Sequence, residues 1–239
     1  MTVPEPVAPP EIRDRLAVAL DVDDLDDAVD LARRVAPWMG IAKVGLELYT
    51  VAGPVAFARM HDLGLRVFAD LKLHDIPTTV ERASRAAARH GVEFLNLHAA
   101  GGVAMLRAGV EGARDGARDH APLVLAVTVL TSDADTSAFT PRLDATIDAG
   151  CDGVVCSAHE VRLVKERDPS LRAMVPGVRP AGTARDDQAR VATPADVVAV
   201  GGDWMVLGRA VTRAASPERA AADVVASLHD TLKTASHLR

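Results

Sequence analysis

Charged residues stand within or just after several short apolar segments of this sequence. Asp21 ends an apolar run that begins at Leu16, Lys43 lies inside the next run, and Asp70 ends a third, with Lys72 two residues beyond. Neighbouring opposite charges keep one another ionised, and a pair about 4 Å apart gains roughly 4 kcal/mol at an effective dielectric constant of 20. Such an array can transfer protons and stabilise a developing charge. A purely structural ion-pair network is the alternative.

A second pattern points to an anion. Gly177 with Arg179, and Gly208 with Arg209, follow the last two apolar segments. Glycine lets backbone amides approach an anion closely, and a guanidinium binds phosphate oxygens in pairs. One Gly and Arg combination after a strand is often an ordinary turn. Its recurrence after both segments favours a phosphate site.

The apolar segments predict the elements that must position these groups. Near-continuous runs of Val, Leu, Ile and Ala are typical of parallel strands covered on both faces, and the segments between them have helical spacing. Predicted strands cover residues 16–21, 41–45, 66–70, 94–98, 123–129, 153–156, 173–176 and 204–207, with helices among the segments 25–36, 51–63, 78–90 and 103–118. Eight strands alternating with helices predict a single (β/α)8 TIM barrel of the α/β class. In such a barrel, the carboxyl ends of the strands carry the active site.

No linker divides the chain of 239 residues. We therefore expect a flexible N-terminal tail over residues 1–14 and one barrel domain over residues 15–239. The prolines of the first ten residues indicate the tail, and this segment lacks the basic start and apolar run of a signal peptide. The longest apolar run is far too short to span a membrane.

Composition excludes further classes of function. Lysine and arginine total 27 against 33 aspartates and glutamates, and aromatic residues make up 3%. Both values argue against a nucleic-acid partner, because proteins that bind nucleic acids usually have basic surfaces and aromatic side chains on which the bases stack. The two cysteines, Cys151 and Cys156, are too few for a disulfide framework or a structural zinc site. We expect a cytoplasmic protein that acts on a small molecule.

The motifs resemble those of the orotidine 5′-phosphate decarboxylase family, in its bacterial single-domain form. The most specific string is DLKLHDIPTT at 70–79. Further matching strings occur in order: ALD at 19–21, KVGLELY at 43–49, NLHAAGG at 96–102, VTVLTS at 127–132, VVCSAHE at 154–160, PGVRPAG at 176–182, DDQAR at 186–190 and MVLGRAVT at 205–212. The resemblance covers nearly the whole chain.

The resemblance implies decarboxylation of orotidine 5′-phosphate to UMP and CO2, in pyrimidine biosynthesis, with neither a metal nor an organic cofactor. Lys72 would give a proton to C6 of the pyrimidine, Asp70 would lie beside the departing carboxylate, and Lys43 and Asp75 would complete the charge array. Asp21 and Lys43 match contacts to the ribose hydroxyls.

The resemblance also implies a homodimer and assigns the remaining contacts. Asp75, Ile76 and Thr79 match residues that reach into the partner subunit's site. Thr131 matches a pyrimidine contact and Arg179 a position that closes over the substrate; Gln188, Arg209 and the backbone of Gly208 match phosphate ligands. The segment after Thr131 is shorter than in many bacterial members, which affects the cover over the pyrimidine.

Three rival functions are compatible with the residues. A Mg2+-dependent decarboxylase or synthase of sugar phosphates would use Asp70 and Glu47 as metal ligands. A Schiff-base aldolase would use Lys72 as its nucleophile. A non-catalytic protein would only bind a phosphorylated ligand.

Overall fold

The computed structural model describes residues 7–133, 135–180 and 192–236, with side chains described through residue 231. Its strands form a closed barrel in the order β1 to β8. Each strand pairs in parallel with the next, and β8 pairs with β1. The strands are β1 Leu16–Ala19, β2 Ile41–Gly45, β3 Arg66–Leu73, β4 Phe94–His98, β5 Leu123–Val127, β6 Gly153–Val155, β7 Arg172–Val175 and β8 Trp204–Leu207.

Helices follow the strands and form the outer layer. They are α1 Pro10–Arg13, α2 Leu25–Val35, α3 Leu46–Ala52, α4 Val55–His61, α5 Pro77–Arg89, α6 Gly102–Gly116, α7 Phe139–Asp148, α8 Ala158–Arg167, α9 Pro194–Val200, α10 Arg209–Thr212 and α11 Pro217–Ser236. The predicted (β/α)8 barrel is confirmed. Among the described residues, no helix is both long and apolar enough to cross a membrane.

Several strand ends differ from the predicted ones by one to three residues, and two larger predictions were wrong. The helix predicted over 51–63 is two helices, α3 and α4, because Gly53 takes a left-handed φ of 57° and Pro54 follows it. The chain packs before residue 15, since Ile12 of α1 is buried and the backbone N–H of Ala8 donates to the Pro37 carbonyl. Residues 8–14 are therefore part of the packed structure.

Apolar side chains fill the barrel from within. Phe94 packs edge-on against Phe68 and Trp204, with ring centroids 6.2 and 4.9 Å apart. A larger apolar cluster fills the space between the strands and the helices. With the interior filled by aromatic rings, chemistry is left to the ends of the strands.

Carboxylates fix the amino ends of three strands. Each stands just before an even-numbered strand and accepts the first free backbone N–H of the preceding odd-numbered strand, a donor that the ladder leaves unpaired. The pairs are Glu93 with Val67 at 2.6 Å, Asp152 with Val124 at 2.8 Å and Asp203 with Ala173 at 2.8 Å. These acidic residues are thereby structural and lie at the end of the barrel opposite to the charged residues named above.

Helices α5 and α6 pack backbone against backbone. An added Cβ at Gly112 or Gly116 would collide with the carbonyl oxygen of Glu81 or of Arg85. Glycine is required here by close approach. The hydroxyl of Ser84 on α5 is fully buried and has no hydrogen-bond partner within the described residues.

We expect Ser84→Ala to stabilise the protein. The substitution removes a buried hydroxyl that gained no bond on folding, and Ala has the higher helix propensity, so the free energy of unfolding should rise by about 1 kcal/mol. Urea denaturation measures the change. Ser157→Ala is the matched control, since the buried Ser157 hydroxyl donates to Glu160 at 2.9 Å and its loss should destabilise. Equal destabilisation by both substitutions would contradict the prediction.

Candidate active site

A cavity of about 540 Å3 opens at the carboxyl ends of the strands. Its walls combine the two groups of residues that the sequence singled out. The charged residues lining it include Asp21, Lys43, Asp70, Lys72, Arg179 and Arg209, together with Thr131, Gly177 and Gly208. The size suits a ligand of nucleotide dimensions.

Four alternating charges form a continuous chain on one side of this cavity. The Lys43 Nζ lies 2.8 Å from an oxygen of Asp21 and 3.3 Å from Oδ2 of Asp70. The Lys72 Nζ lies 2.5 Å from Oδ1 of the same Asp70. Both lysines thus share one carboxylate, which confirms the juxtaposition expected from the strand ends.

Lys43 and Asp70, the two most buried members of the array, keep their charges because neighbouring opposite charges outweigh the cost of burial. Burial alone would lower the pKa of Lys43, but Asp70 and Asp21 outweigh it and raise that pKa above its ordinary value. Burial alone would raise the pKa of Asp70, but Lys43, Lys72 and a hydrogen bond from Asn96 bring it below its ordinary value. At neutral pH, Asp70 is therefore a negatively charged carboxylate, and Lys43 is a positively charged ammonium.

A bulge in β3 brings Lys72 to Asp70. Ala69 pairs with Leu95 and Leu73 with Leu97, so three residues of β3 lie opposite the single residue Asn96. Lys72 has φ of 48°, and among the described residues it is the only non-glycine residue with positive φ. The contact between Asp70 and Lys72 thus depends on a local distortion of β3, not on the regular alternation of side chains along a strand.

Two residues of this site were not singled out in the sequence. Asn96 is fully buried and donates through Nδ2 to Oδ1 of Asp70 at 2.6 Å. Gly45 faces the array, where an added Cβ would lie 3.1 Å from the Lys43 Nζ and 3.2 Å from Asp21. The available signals were an amide inside the apolar run FLNLH and a glycine two residues after Lys43.

The predicted anion-binding residues line the same cavity. Gly177 lies two residues after β7 and has φ of 74°, a conformation that glycine adopts without strain. Arg179 follows, and its backbone N–H donates to Ala192 at 3.0 Å. Gly208 and Arg209 lie where β8 passes into α10. Gln188, the other predicted phosphate ligand, lies outside the described residues.

The residues expected to act in a partner subunit do not line this cavity. Ile76 is 66% exposed, and Asp75 and Thr79 are also exposed. Asp75 accepts the backbone N–H of Ile76 at 2.6 Å, just before α5. Asp75 and Thr79 line a separate hollow of about 310 Å3, whose wall also includes Lys72. The segment is thus presented outward beside the array.

The Asp70 carboxylate has little capacity left for a metal ion. Oδ1 of Asp70 accepts from Lys72 and Asn96, while Oδ2 faces Lys43. Across the described ranges, no group of three or more His, Cys, Asp or Glu side chains is arranged to hold a metal ion. The chemistry available at Asp70 is therefore that of an ion pair with two ammonium groups.

The fold and the site together define a class of protein, a (β/α)8-barrel enzyme with a charged cavity at the carboxyl ends of its strands. Residues 14–224 match the family described as "Orotidine 5'-phosphate decarboxylase / HUMPS family". The chain belongs to that family.

Curated relatives cover almost the whole chain. An orotidine 5′-phosphate decarboxylase of Moorella thermoacetica is 43% identical over 233 residues, which cover 90% of this chain and 92% of the relative. One of Nitratidesulfovibrio vulgaris is 47% identical over 230 residues, with coverage of 89% and 97%. These relatives place the chain among the carboxy-lyases.

Solved structures agree with the fold. An uncharacterized conserved protein from Geobacillus kaustophilus superposes with a TM-score of 0.77 at 34% identity, covering 89% of this chain and 99% of that one. An orotidine 5′-phosphate decarboxylase from Lactobacillus acidophilus superposes with a TM-score of 0.74 at 29% identity, covering 89% and 98%. Both alignments include the barrel as a whole.

Proposed function

We propose that the protein decarboxylates orotidine 5′-phosphate to UMP and CO2, the last reaction of de novo UMP synthesis, with no metal or organic cofactor. One observation carries the proposal: an unbroken chain of alternating charges, Asp21–Lys43–Asp70–Lys72, lies in the same cavity as two arginines suited to a phosphate. The names of the relatives support the choice of substrate.

Lys72 supplies the decisive chemistry in this proposal. When the bond from C6 to the carboxylate breaks, its electron pair stays on an sp2 ring carbon that has little resonance stabilisation. A fixed ammonium beside C6 attracts that developing charge, and the attraction is greatest in the transition state. A proton then passes from the Lys72 Nζ to C6, CO2 departs, and the neutral amine regains a proton from solvent.

The other charges keep this ammonium in place. Asp70 holds Lys72 at 2.5 Å and lies beside the departing carboxylate, and Lys43 balances the charge of Asp70 from the other side. Because the array is already assembled, little reorganisation is needed during the reaction. Asp21 and Lys43 are further proposed to bind the ribose hydroxyls, and Thr131 the pyrimidine.

In this proposal the protein binds the substrate mainly through its phosphate group. We assign Arg209, Gln188 and the Gly208 backbone as its ligands, and Arg179 as a group that closes over the bound substrate. These contacts are remote from the bond that breaks, so their binding energy can be used to order the site around the pyrimidine.

A second copy of the chain is proposed to complete the site. Asp75, Ile76 and Thr79 are exposed, and Asp75 and Thr79 share the wall of one hollow with Lys72. In a symmetric dimer the same segment is offered reciprocally, so each subunit adds its Asp75 carboxylate to the other's array.

The contacts of Asp70 and Lys72 weigh against two rivals. A Mg2+-dependent enzyme would need oxygens of Asp70 that here accept from ammonium and amide groups. A Schiff-base aldolase needs a free amine, whereas the Lys72 Nζ is engaged in an ion pair with Asp70. Borohydride treatment with a carbonyl substrate should therefore give no adduct.

The proposal is tested by following ultraviolet absorbance with orotidine 5′-phosphate in the presence and absence of EDTA. We expect turnover that the chelator does not reduce. Loss of activity in EDTA, restored by Mg2+, would favour the sugar-phosphate rival. Binding of UMP without any change in the orotidine 5′-phosphate spectrum would identify a non-catalytic binder.

Arg209→Ala should chiefly weaken substrate capture. Loss of a charge-assisted phosphate contact costs about 2–3 kcal/mol, equivalent to roughly a 30- to 150-fold fall in kcat/KM. Orotidine, which lacks the phosphate, should show almost the same kcat/KM with the variant as with the wild type. Arg167→Ala is the matched control, because Arg167 pairs with Asp144 at the surface. Unchanged kcat/KM for orotidine 5′-phosphate in Arg209→Ala would place the phosphate elsewhere.

A further inference from the structure

We infer that Asn96 is a positioning residue, whose side-chain amide holds Asp70 and Lys72 in the arrangement that proton transfer requires. The inference rests on the proposed decarboxylation and adds a residue to its machinery. Asn96 lies on β4, is fully buried and faces the bulge of β3.

The amide makes one contact with each partner of the proton-donating pair. Its Nδ2 donates to Oδ1 of Asp70 at 2.6 Å, and its Oδ1 accepts the backbone N–H of Lys72 at 2.7 Å. The same Oδ1 of Asp70 also receives the Lys72 Nζ. One side chain thus fixes both the acceptor oxygen and the backbone that carries the donor.

The bulge explains why a side chain is needed here. In a regular parallel ladder, backbone carbonyls of the neighbouring strand satisfy the N–H groups of β3. Between Ala69 and Leu73 this register is lost, and Lys72 has φ of 48°. A non-glycine residue persists in that conformation only where its surroundings impose it. The side-chain oxygen of Asn96 accepts the backbone N–H of Lys72 in place of the missing backbone carbonyl.

Asn96 has the chemistry for both contacts, because an amide is donor and acceptor at once. An aspartate at this position would bring a second negative charge to Asp70. An aliphatic residue would leave the backbone N–H of Lys72 without its acceptor and remove one hydrogen bond from Asp70. Inside the barrel, either change should displace the Lys72 ammonium from its position beside C6. A displacement of about 1 Å at a reacting centre can cost on the order of 100-fold in rate.

Asn96→Ala tests this role. We expect kcat for orotidine 5′-phosphate to fall by about 100-fold, with UMP affinity unchanged because the phosphate residues are untouched. Leu95→Ala is the matched control: Leu95 is the preceding residue of β4 and belongs to the apolar layer between strands and helices. It should lower stability while kcat stays near that of the wild type. Equal kcat losses in the two variants would show that Asn96 is merely structural.

Asn96→Asp provides a readout that a structural role does not produce. When protonated, the introduced carboxyl can donate to Asp70 and accept from Lys72, as the amide does; when ionised, it repels Asp70. The like charge of Asp70 should raise the pKa of the introduced carboxyl. We therefore expect kcat of Asn96→Asp, relative to the wild type, to rise as pH falls toward 5, whereas Asn96→Ala shows no such recovery. A relative kcat that does not depend on pH would overturn the inference.

Failure of the proposed function has a different signature. A wild-type protein that does not turn over orotidine 5′-phosphate refutes the reaction before any variant is compared. A crystal structure of Asn96→Ala then tests positioning without activity: we expect the Lys72 Nζ to leave Oδ1 of Asp70. Retention of the 2.5 Å contact in that variant would refute the positioning role.

Discussion

Lys72→Ala should abolish decarboxylation while leaving nucleotide binding largely intact. The substitution removes both the proton donor and the ammonium that stabilises charge at C6, so we expect kcat to fall by more than about 10⁴-fold. The affinity for UMP should change only a few-fold, since Arg179 and Arg209 line another part of the cavity. Stopped or continuous absorbance assays measure kcat, and calorimetric titration measures UMP binding.

Lys165→Ala is the matched control for that experiment. Lys165 also forms an ion pair with an aspartate, at 2.9 Å from Asp203, but at the amino ends of the strands. Its loss should reduce stability and leave kcat unchanged. If Lys72→Ala kept comparable turnover, another group would have to deliver the proton, and the assignment of Lys72 would be wrong.

The barrel was predictable because its signals are local and repeated. Seven of the eight predicted strands start where the structure has them, and the other starts one residue earlier, at Arg172. Apolar runs of parallel strands differ from helical segments in length and in their flanking glycines, and these differences recur around the barrel. One error arose where tertiary packing decided the outcome, since Ile12 is buried in a segment that resembled a tail. The other overlooked a local signal, Gly53 followed by Pro54, which divides the helix predicted over 51–63.

The array was predictable in its members but not in its geometry. Charged residues at strand ends identified Asp21, Lys43, Asp70 and Lys72, since the barrel brings these ends together. The bulge that gives Lys72 a positive φ depends on pairing with another strand, which no spacing within β3 reveals. Asn96 was missed for the same reason, because the role of a polar residue in an apolar run can be assigned only when its hydrogen-bond partners are known.

The exposed segment before α5 has the greatest consequence for assembly. Ile76 is 66% exposed, and Asp75 stands beside it without lining the main cavity of its own chain. An aspartate in this position can serve a neighbouring copy, since a two-fold axis makes each contact reciprocal. The dimer in our proposal is thus a requirement of the chemistry, and it can be tested by mixing inactive proteins.

Mixing Lys72→Ala with Asp75→Ala should restore activity that neither variant has alone. In a mixed dimer, the subunit with an intact Lys72 receives an intact Asp75 from its partner, so one of the two sites is complete. Random exchange of equal amounts makes half of the dimers mixed, and about a quarter of the wild-type activity should return. Subunit exchange is verified by native mass spectrometry of differently tagged chains, and activity by absorbance.

The informative control mixes Lys72→Ala with Asp70→Ala. Asp70 and Lys72 contact each other within one chain, so no mixed dimer of these variants contains a complete site, and activity should stay at the level of the separate proteins. Recovery in the first mixture alone identifies Asp75 as the residue that crosses the interface. If exchange is demonstrated and neither mixture recovers, Asp75 does not act across subunits, because each hybrid of Lys72→Ala with Asp75→Ala would otherwise contain one complete array.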